Sequence, residues 1–461
     1  MNNLDMIIKS KNVFIDGRLI DCSIGIKEGK IASISKTELE KAKIIIDAKE
    51  KIVLPGTIDP HVHIRAPGHE ERETFETGTK AAAAGGVTTL IEHPISTPPP
   101  HSPELVKRRM EIAKNQIVVD IAFFGAAGIE YLDDIIPCSK TGIVAFKTFL
   151  HEAPKGREKE FEGLTAPLDG DLYEVMKKIA RTNLLAAFHA ENNSIIKNQI
   201  KIFRDKGETS PIYHVKSRPP IAEIEATSKI LLFAEETGAR VQICHITTPR
   251  AVELINDAKR RGIDVIAETC PQYLLLNEEY LNKYGAYAKC NPPLRTEEER
   301  KAMWRLVNDG SIDTIGSDHA PYTREEKERG KDNIFKAPSG LPGIEQRLPL
   351  LFTKVKEGEL ALGRMVDLIS RNPAKIFGLY PGKGTITIGS DADFVIIDPN
   401  KKEIISRDKM FTKVRDVAKV YEGWEVYGIP EITIVRGNVV FDNGEIKVSP
   451  GYGKIIKRQQ H

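Results

Sequence analysis

The stretch IVLPGTIDPHVHI, residues 52–64, decides the fold. It is an apolar, β-branched run that ends in two histidines two residues apart, and seven more runs of the same character follow it. They are GVTTLIEHP (86–94), VVDIAFFGA (118–126), IVAFKTF (143–149), LLAAFHAE (184–191), RVQICHI (240–246), DVIAETCP (264–271) and DTIGSDHAP (313–321). The segments between them, such as FETGTKAAAAGG, SPELVKRRMEIAKNQ and TPRAVELINDAKRRG, are rich in helix formers, and several open on Ser, Thr or Asp and close on Gly. Strands alternating with helices predict βα units around a parallel sheet. Eight such units close a (β/α)8 barrel.

The flanks carry a different pattern. Residues 5–50 and 385–446 show short alternating runs with DG, EGK and DNG turns, which read as antiparallel β. The expected fold is therefore an α/β (β/α)8 TIM barrel with a small composite β-sandwich built from both termini. Its divisions fall at 1–54 (N-terminal part of the sandwich), 55–380 (catalytic barrel), 381–446 (C-terminal part) and 447–461, a basic tail that frays or packs on a neighbour.

Composition narrows the function classes. The chain has 461 residues, 41% of them hydrophobic, enough for a large core. Its 67 Lys plus Arg against 65 Asp plus Glu leave a net charge of +2, so no basic field favours nucleic acid or an anionic membrane. Small-molecule chemistry is the expectation. The start, MNNLDMIIKSKNVF, lacks the pattern of a secretory signal, no run approaches a membrane span, and a cytoplasmic location is expected. Cys22, Cys138, Cys244, Cys270 and Cys290 form no CxxC pair and read as reduced core residues. Strand alternation predicts that Cys244 faces away from His245, with no metal role.

Side chains that do chemistry in such a barrel project from the C-terminal ends of its strands. His61 and His63 close the first run, Lys147 lies in the fourth, and His189, His245 and Asp318 end the fifth, sixth and eighth. The i, i+2 spacing puts both imidazoles of His61 and His63 on one strand face, where they can share an ion. A lone HxH is also compatible with two satisfied polar residues. Ligand types at three further strand ends turn the reading toward a two-metal hydrolytic site. Lys147 is a ligand only if carboxylated, because an ammonium cannot coordinate, and it would otherwise pair with a buried carboxylate. For Asp318 the alternative is a helix N-cap.

DPHVHIR, AFKTF, HAEN, ICHI and SDHAP resemble the cyclic-amidohydrolase branch of the amidohydrolase superfamily, which holds hydantoinases, dihydropyrimidinases, allantoinases and dihydroorotases. The likeness extends through GTKAAAAGGVTTL, ETCPQYLLL, NPPLR, NPAKIFGLYPGKGTI and GSDADFVIID. It implies two divalent ions, usually zinc, with manganese or cobalt as alternatives. His61, His63 and Asp318 would hold one ion, His189 and His245 the other, and carboxylated Lys147 would bridge them. It further implies Asp318 as proton carrier, a homo-oligomer (tetramer or dimer), and a small cyclic amide or ureide as substrate.

The ring itself is read from residues outside that set. Arg65 resembles the arginine with which dihydroorotases grip a substrate carboxylate, but Ile95 stands where their second carboxylate ligand, an Asn, is expected. Arg65 could equally hold a carboxylate such as Glu73. IEHPISTPPP, ETCPQYLLL, PSGLPGIEQRLPLL and the tail look more like hydantoinases and allantoinases. Glu152 departs from the Tyr of hydantoinases that accept D-substrates, and Arg65 from the Asn usual in allantoinases. A hydantoinase- or allantoinase-like ring opening is the favoured expectation, dihydroorotase the rival, and a non-catalytic scaffold relative the distant one. The same resemblance implies that Asn291 and the backbone around Ser339 and Gly340 hold the ring, although Asn291 also suits a turn before Pro292. His93, Glu268 and His319 are expected around the ligands rather than among them.

Overall fold

The computed structural model describes residues 4–37, 39 and 41–458. The chain opens with β1 (Leu4–Ile15), β2 (Arg18–Lys27), β3 (Lys30–Ser35), β4 (Ala42–Asp47) and β5 (Ile52–Pro55). Eight strands then alternate with helices: β6 (Thr57–Val62), β7 (Val87–Glu92), β8 (Asp120–Ala126), β9 (Ala145–Phe149), β10 (Leu185–His189), β11 (Val241–Ile243), β12 (Val265–Thr269) and β13 (Thr314–Ile315). The C-terminal part adds β14 (Phe394–Ile397), β15 (Lys402–Ile404), β16 (Glu425–Tyr427), β17 (Pro430–Val435), β18 (Asn438–Asp442) and β19 (Glu445–Ile446).

Strands β6 to β13 pair in parallel and in sequence order, and each falls inside one of the eight runs expected to form them. The ring closes between Val62 and His319, where the His63 N–H donates to the His319 carbonyl at 2.8 Å. Helices cover this sheet, and every residue of β7 and β8 is buried. Helix Phe75–Ala84 starts at Thr74, whose side chain accepts from the Thr77 N–H, and its buried Ala81, Ala82 and Ala83 let it lie close against the sheet. Helix Pro103–Lys114 is capped in the same way by Ser102.

The first expected run is two strands in two sheets. β5 pairs with β1 and β14, whereas β6 begins the barrel after Gly56. A Cβ at Gly56 would overlap the Thr88 side chain, so only glycine lets the chain cross between the sheets there. Both termini do build one composite sheet, in the order β19-β18-β17-β14-β5-β1-β2-β3, with β4 also on β1. It is continuous and mixed rather than purely antiparallel, since β1 runs parallel to β4 and β5. Met6, Ile8, Ile24, Ile26, Phe394, Ile396 and Ile434 form its core.

The tail was expected to fray or to pack on a neighbour. Its described part runs along the chain's own barrel: the Ile121 N–H donates to Lys454 O at 2.9 Å and the Ile456 N–H to Ile121 O at 2.7 Å. Residues 459–461 lie outside the described residues. All five cysteines are buried and free, and no described helix is long and apolar enough to cross a membrane.

Candidate metal centre

The expected residues meet at the C-terminal mouth of the barrel. His61 Nε2 and His63 Nε2 each lie 3.3 Å from Asp318 Oδ1. His189 Nδ1 is 3.1 Å from His245 Nε2. Imidazoles bound to one ion at about 2.1 Å radiate from it, which sets their ring centres roughly 5 Å apart. The His61–His63 pair measures 5.1 Å at 60°, and the His189–His245 pair 4.8 Å at 67°. The pairs also stand close to one another, with the His61 and His245 rings 5.3 Å apart.

Neighbours fix which ring nitrogen is free. His61 Nδ1 faces Glu268 Oε1 at 2.6 Å, leaving Nε2 unpaired toward the mouth. His189 Nε2 faces Glu191 Oε2 at 2.8 Å, leaving Nδ1 toward His245. A carboxylate on one nitrogen holds the proton there and the lone pair on the other. Burial, aided by the charge of Lys147, pushes His61 and His245 well below the ordinary imidazole range, and burial with Arg65 does the same for His63. These rings are neutral and able to donate lone pairs. Burial pushes the Asp318 carboxyl up to about 8 against the pull of Lys147.

His245 and Asp318 both have left-handed backbone, with φ of 42° and 47°. Such residues are uncommon outside glycine and collect at functional sites. The twist at His245 breaks strand alternation and corrects the expectation for Cys244, which faces inward with its sulfur 3.0 Å from Lys147 Nζ. Lys147 has no carboxylate within ion-pair distance among the described residues, so the ordinary salt-bridge role is not the one it plays. Asp318 is not an N-cap either: the next helix starts at Arg324 and Thr323 caps it.

His93 and Glu268 lie against His61, with donor atoms close enough to join its own in a ligand group. The His93 ring is stacked on His61 at 3.8 Å and 5°. His319 bonds instead to Glu73 at 3.2 Å.

A family model, Amidohydrolase family, matches residues 52–440. The chain belongs to the amidohydrolase family. It is 35% identical to the L-hydantoinase of Paenarthrobacter aurescens, with 99% of each chain covered, and 38% identical to the allantoinase of Bacillus licheniformis over 95% of this chain and 96% of that one. The solved L-hydantoinase (dihydropyrimidinase) from Arthrobacter aurescens superposes with a TM-score of 0.94 at 34% identity, covering 99% of this chain and all of that one.

In this amidohydrolase the centre lies at the bottom of a cavity of about 980 Å³ whose wall includes Arg65, Ile95, Glu152, Asn291, Ser339 and Gly340. Arg65 is buried, donates to Tyr322 Oη at 3.3 Å and leaves Nε and Nη1 without partners. It does not hold Glu73, which is itself buried and accepts from Thr77, Thr412 and the Lys413 N–H. Asn291, with its amide turned to satisfy its neighbours, donates to Ser339 Oγ at 3.0 Å and accepts from Arg218 Nη2 at 3.2 Å. Glu152 pairs with Lys197 at 3.0 Å. Burial pushes the Glu191 carboxyl up, but Arg218 and His189 outweigh it and hold it at about 2.

Sequence reasoning missed Arg218, Tyr322, Lys289 and Lys327, which shape the cavity or the loops around it. None of them ends a strand, and no spacing marks them.

Proposed function

We propose that this amidohydrolase opens a small cyclic amide or ureide in the manner of hydantoinases and allantoinases, using two divalent ions. The meeting of His61, His63, His189, His245, Lys147 and Asp318 in the wall of one cavity carries this reading. His61, His63 and Asp318 would hold one ion, His189 and His245 the other, and Lys147, as its carbamate, would bridge them. His61 Nε2, which makes no hydrogen bond, and the close approach of His189 Nδ1 to His245 Nε2 support that role. Nitrogen and carboxylate donors suit zinc, with manganese or cobalt as substitutes.

When bound, such ions polarise a carbonyl and make a water acidic enough to attack near neutral pH. With the ions bound, Asp318 would take a proton from the attacking water and return it to the departing ring nitrogen. Asn291, Ser339 and Gly340 would hold the ring, and their edge-on hydrogen bonds favour cyclic over linear amides.

One observation favours a second reading, dihydroorotase. A buried guanidinium with two unpartnered nitrogens faces the cavity, and a substrate carboxylate would complete it. A panel of hydantoin, allantoin, dihydrouracil and dihydroorotate, each followed for ring opening with the zinc-loaded protein, tests both. The first reading expects a neutral ring to be the best substrate and Arg65→Ala to affect neutral rings little. Preference for dihydroorotate, lost selectively in Arg65→Ala, would install the second. No opening of any ring would sink both.

A further inference from the structure

Two buried lysines stand beside the ring-binding loop, and the mechanism above uses neither. Lys289 and Lys327 are 6% and 1% exposed and pair with no carboxylate among the described residues. Their partners are backbone carbonyls of a single segment, residues 334–340. Lys289 Nζ donates to Ile334 O at 2.8 Å and to Ala337 O at 2.5 Å. Lys327 Nζ donates to Gly340 O at 2.6 Å and to Pro338 O at 3.3 Å. The Gly340 N–H donates back to Lys289 O at 2.8 Å. Taking an amine out of water costs several kcal/mol unless its hydrogens are bonded, and an apolar side chain would fill the same space without that cost. The lysines therefore specify how the segment's peptide planes are turned.

That orientation has a chemical consequence. In a trans peptide unit the C=O and N–H point in opposite directions. Lys327 does not line the cavity, whereas Pro338, Ser339 and Gly340 do. With the Pro338 carbonyl turned back onto Lys327, the Ser339 N–H is turned away from it. Asn291 holds the same serine through its hydroxyl.

We propose that Lys327, backed by Lys289, is a positioning residue for ring recognition: it holds segment 334–340 so that the Ser339 N–H is presented to a ring carbonyl of the substrate. The proposal rests on the ring-hydrolase reading and deepens it. A fixed N–H donor selects rings with a second carbonyl, such as cyclic imides and ureides, over lactams with one, because a lactam leaves the donor unpaired.

The test is Lys327→Met in the full zinc-loaded chain, with dihydrouracil (two ring carbonyls) as substrate and 2-piperidone (one) as competitive inhibitor. The expected result is a rise of about tenfold in KM for dihydrouracil, the scale of one lost hydrogen bond, with kcat, zinc content and the inhibition constant of 2-piperidone unchanged. An equal loss for both probes, or no loss for either, would overturn the positioning role while leaving the hydrolase reading intact. If the unaltered protein fails to open dihydrouracil or any other ring of the panel, the hydrolase reading falls and the positioning role with it. Should Lys327→Met not fold, Lys289→Met releases the other end of the same segment and is read by the same pair of probes, with the same outcomes deciding.

Discussion

A lysine sealed inside a barrel ordinarily keeps its charge beside a carboxylate or gives the charge up. Lys147 has Cys244 Sγ at 3.0 Å and the Phe149 ring at 5.2 Å, and no acid within ion-pair reach among the described residues. Conversion to a carbamate would give this nitrogen a negative, ligating end directed at two pairs of imidazoles. Lys147→Ala is therefore expected to lose bound metal and ring-opening activity together, and short carboxylic acids should restore part of both by standing in for the missing oxygens. Metal analysis of the purified variant decides it: full metal content and full activity would refute the bridge. At this scale the sequence was informative because ligand-type side chains stand at or just past strand ends at His61, His63, His189, His245 and Asp318, with Lys147 inside β9 beside them. It misled at Cys244, because the left-handed turn at His245 is not written in any local pattern. It was silent on Arg218, Tyr322 and the two lysines, whose roles come from how loops distant in sequence meet.

Among the elements, the eight barrel strands were legible because parallel strands buried on both faces leave long β-branched runs with helix signals between them. The run at 52–64 hid a boundary, since both of its halves are strands and only the sheet they join differs. Gly56 marks the crossing, and its N–H donates to Asp393 O at 2.9 Å, holding the turn between the two sheets. Gly56→Ala would press a methyl group into the buried Thr88 side chain, and overpacking of this kind costs about 1–3 kcal/mol. Urea unfolding should show a loss of that size, and an unchanged midpoint would mean that the boundary is looser than the packing implies. Loops at the other end of the strands were the least legible elements. Segment 334–340 has no periodicity, and its shape is imposed by lysines from two other parts of the chain.

Over the whole molecule, the composite sheet and the barrel are joined by buried charge. Lys383 Nζ reaches Asp120 on β8 at 2.5 Å, Asp391 at 2.9 Å and Asp393 at 2.7 Å, and Arg436 also pairs with Asp120. Removing one partner of such a cluster leaves buried charge uncompensated, so it ties the floor of the barrel to the sheet that both termini build. The tail adds to the same floor along Ile121. The mouth at the opposite end is thereby left to the loops and the ligand set. The central claim is that this mouth opens cyclic amides with two ions, and metal reconstitution tests it most directly. After removal of metal by a chelator, zinc is returned in steps and ring opening of the best panel substrate is measured at each step. Activity should be absent without metal and rise until two equivalents per chain are bound. Full activity in the metal-free chain, or saturation with no metal taken up, would contradict the account.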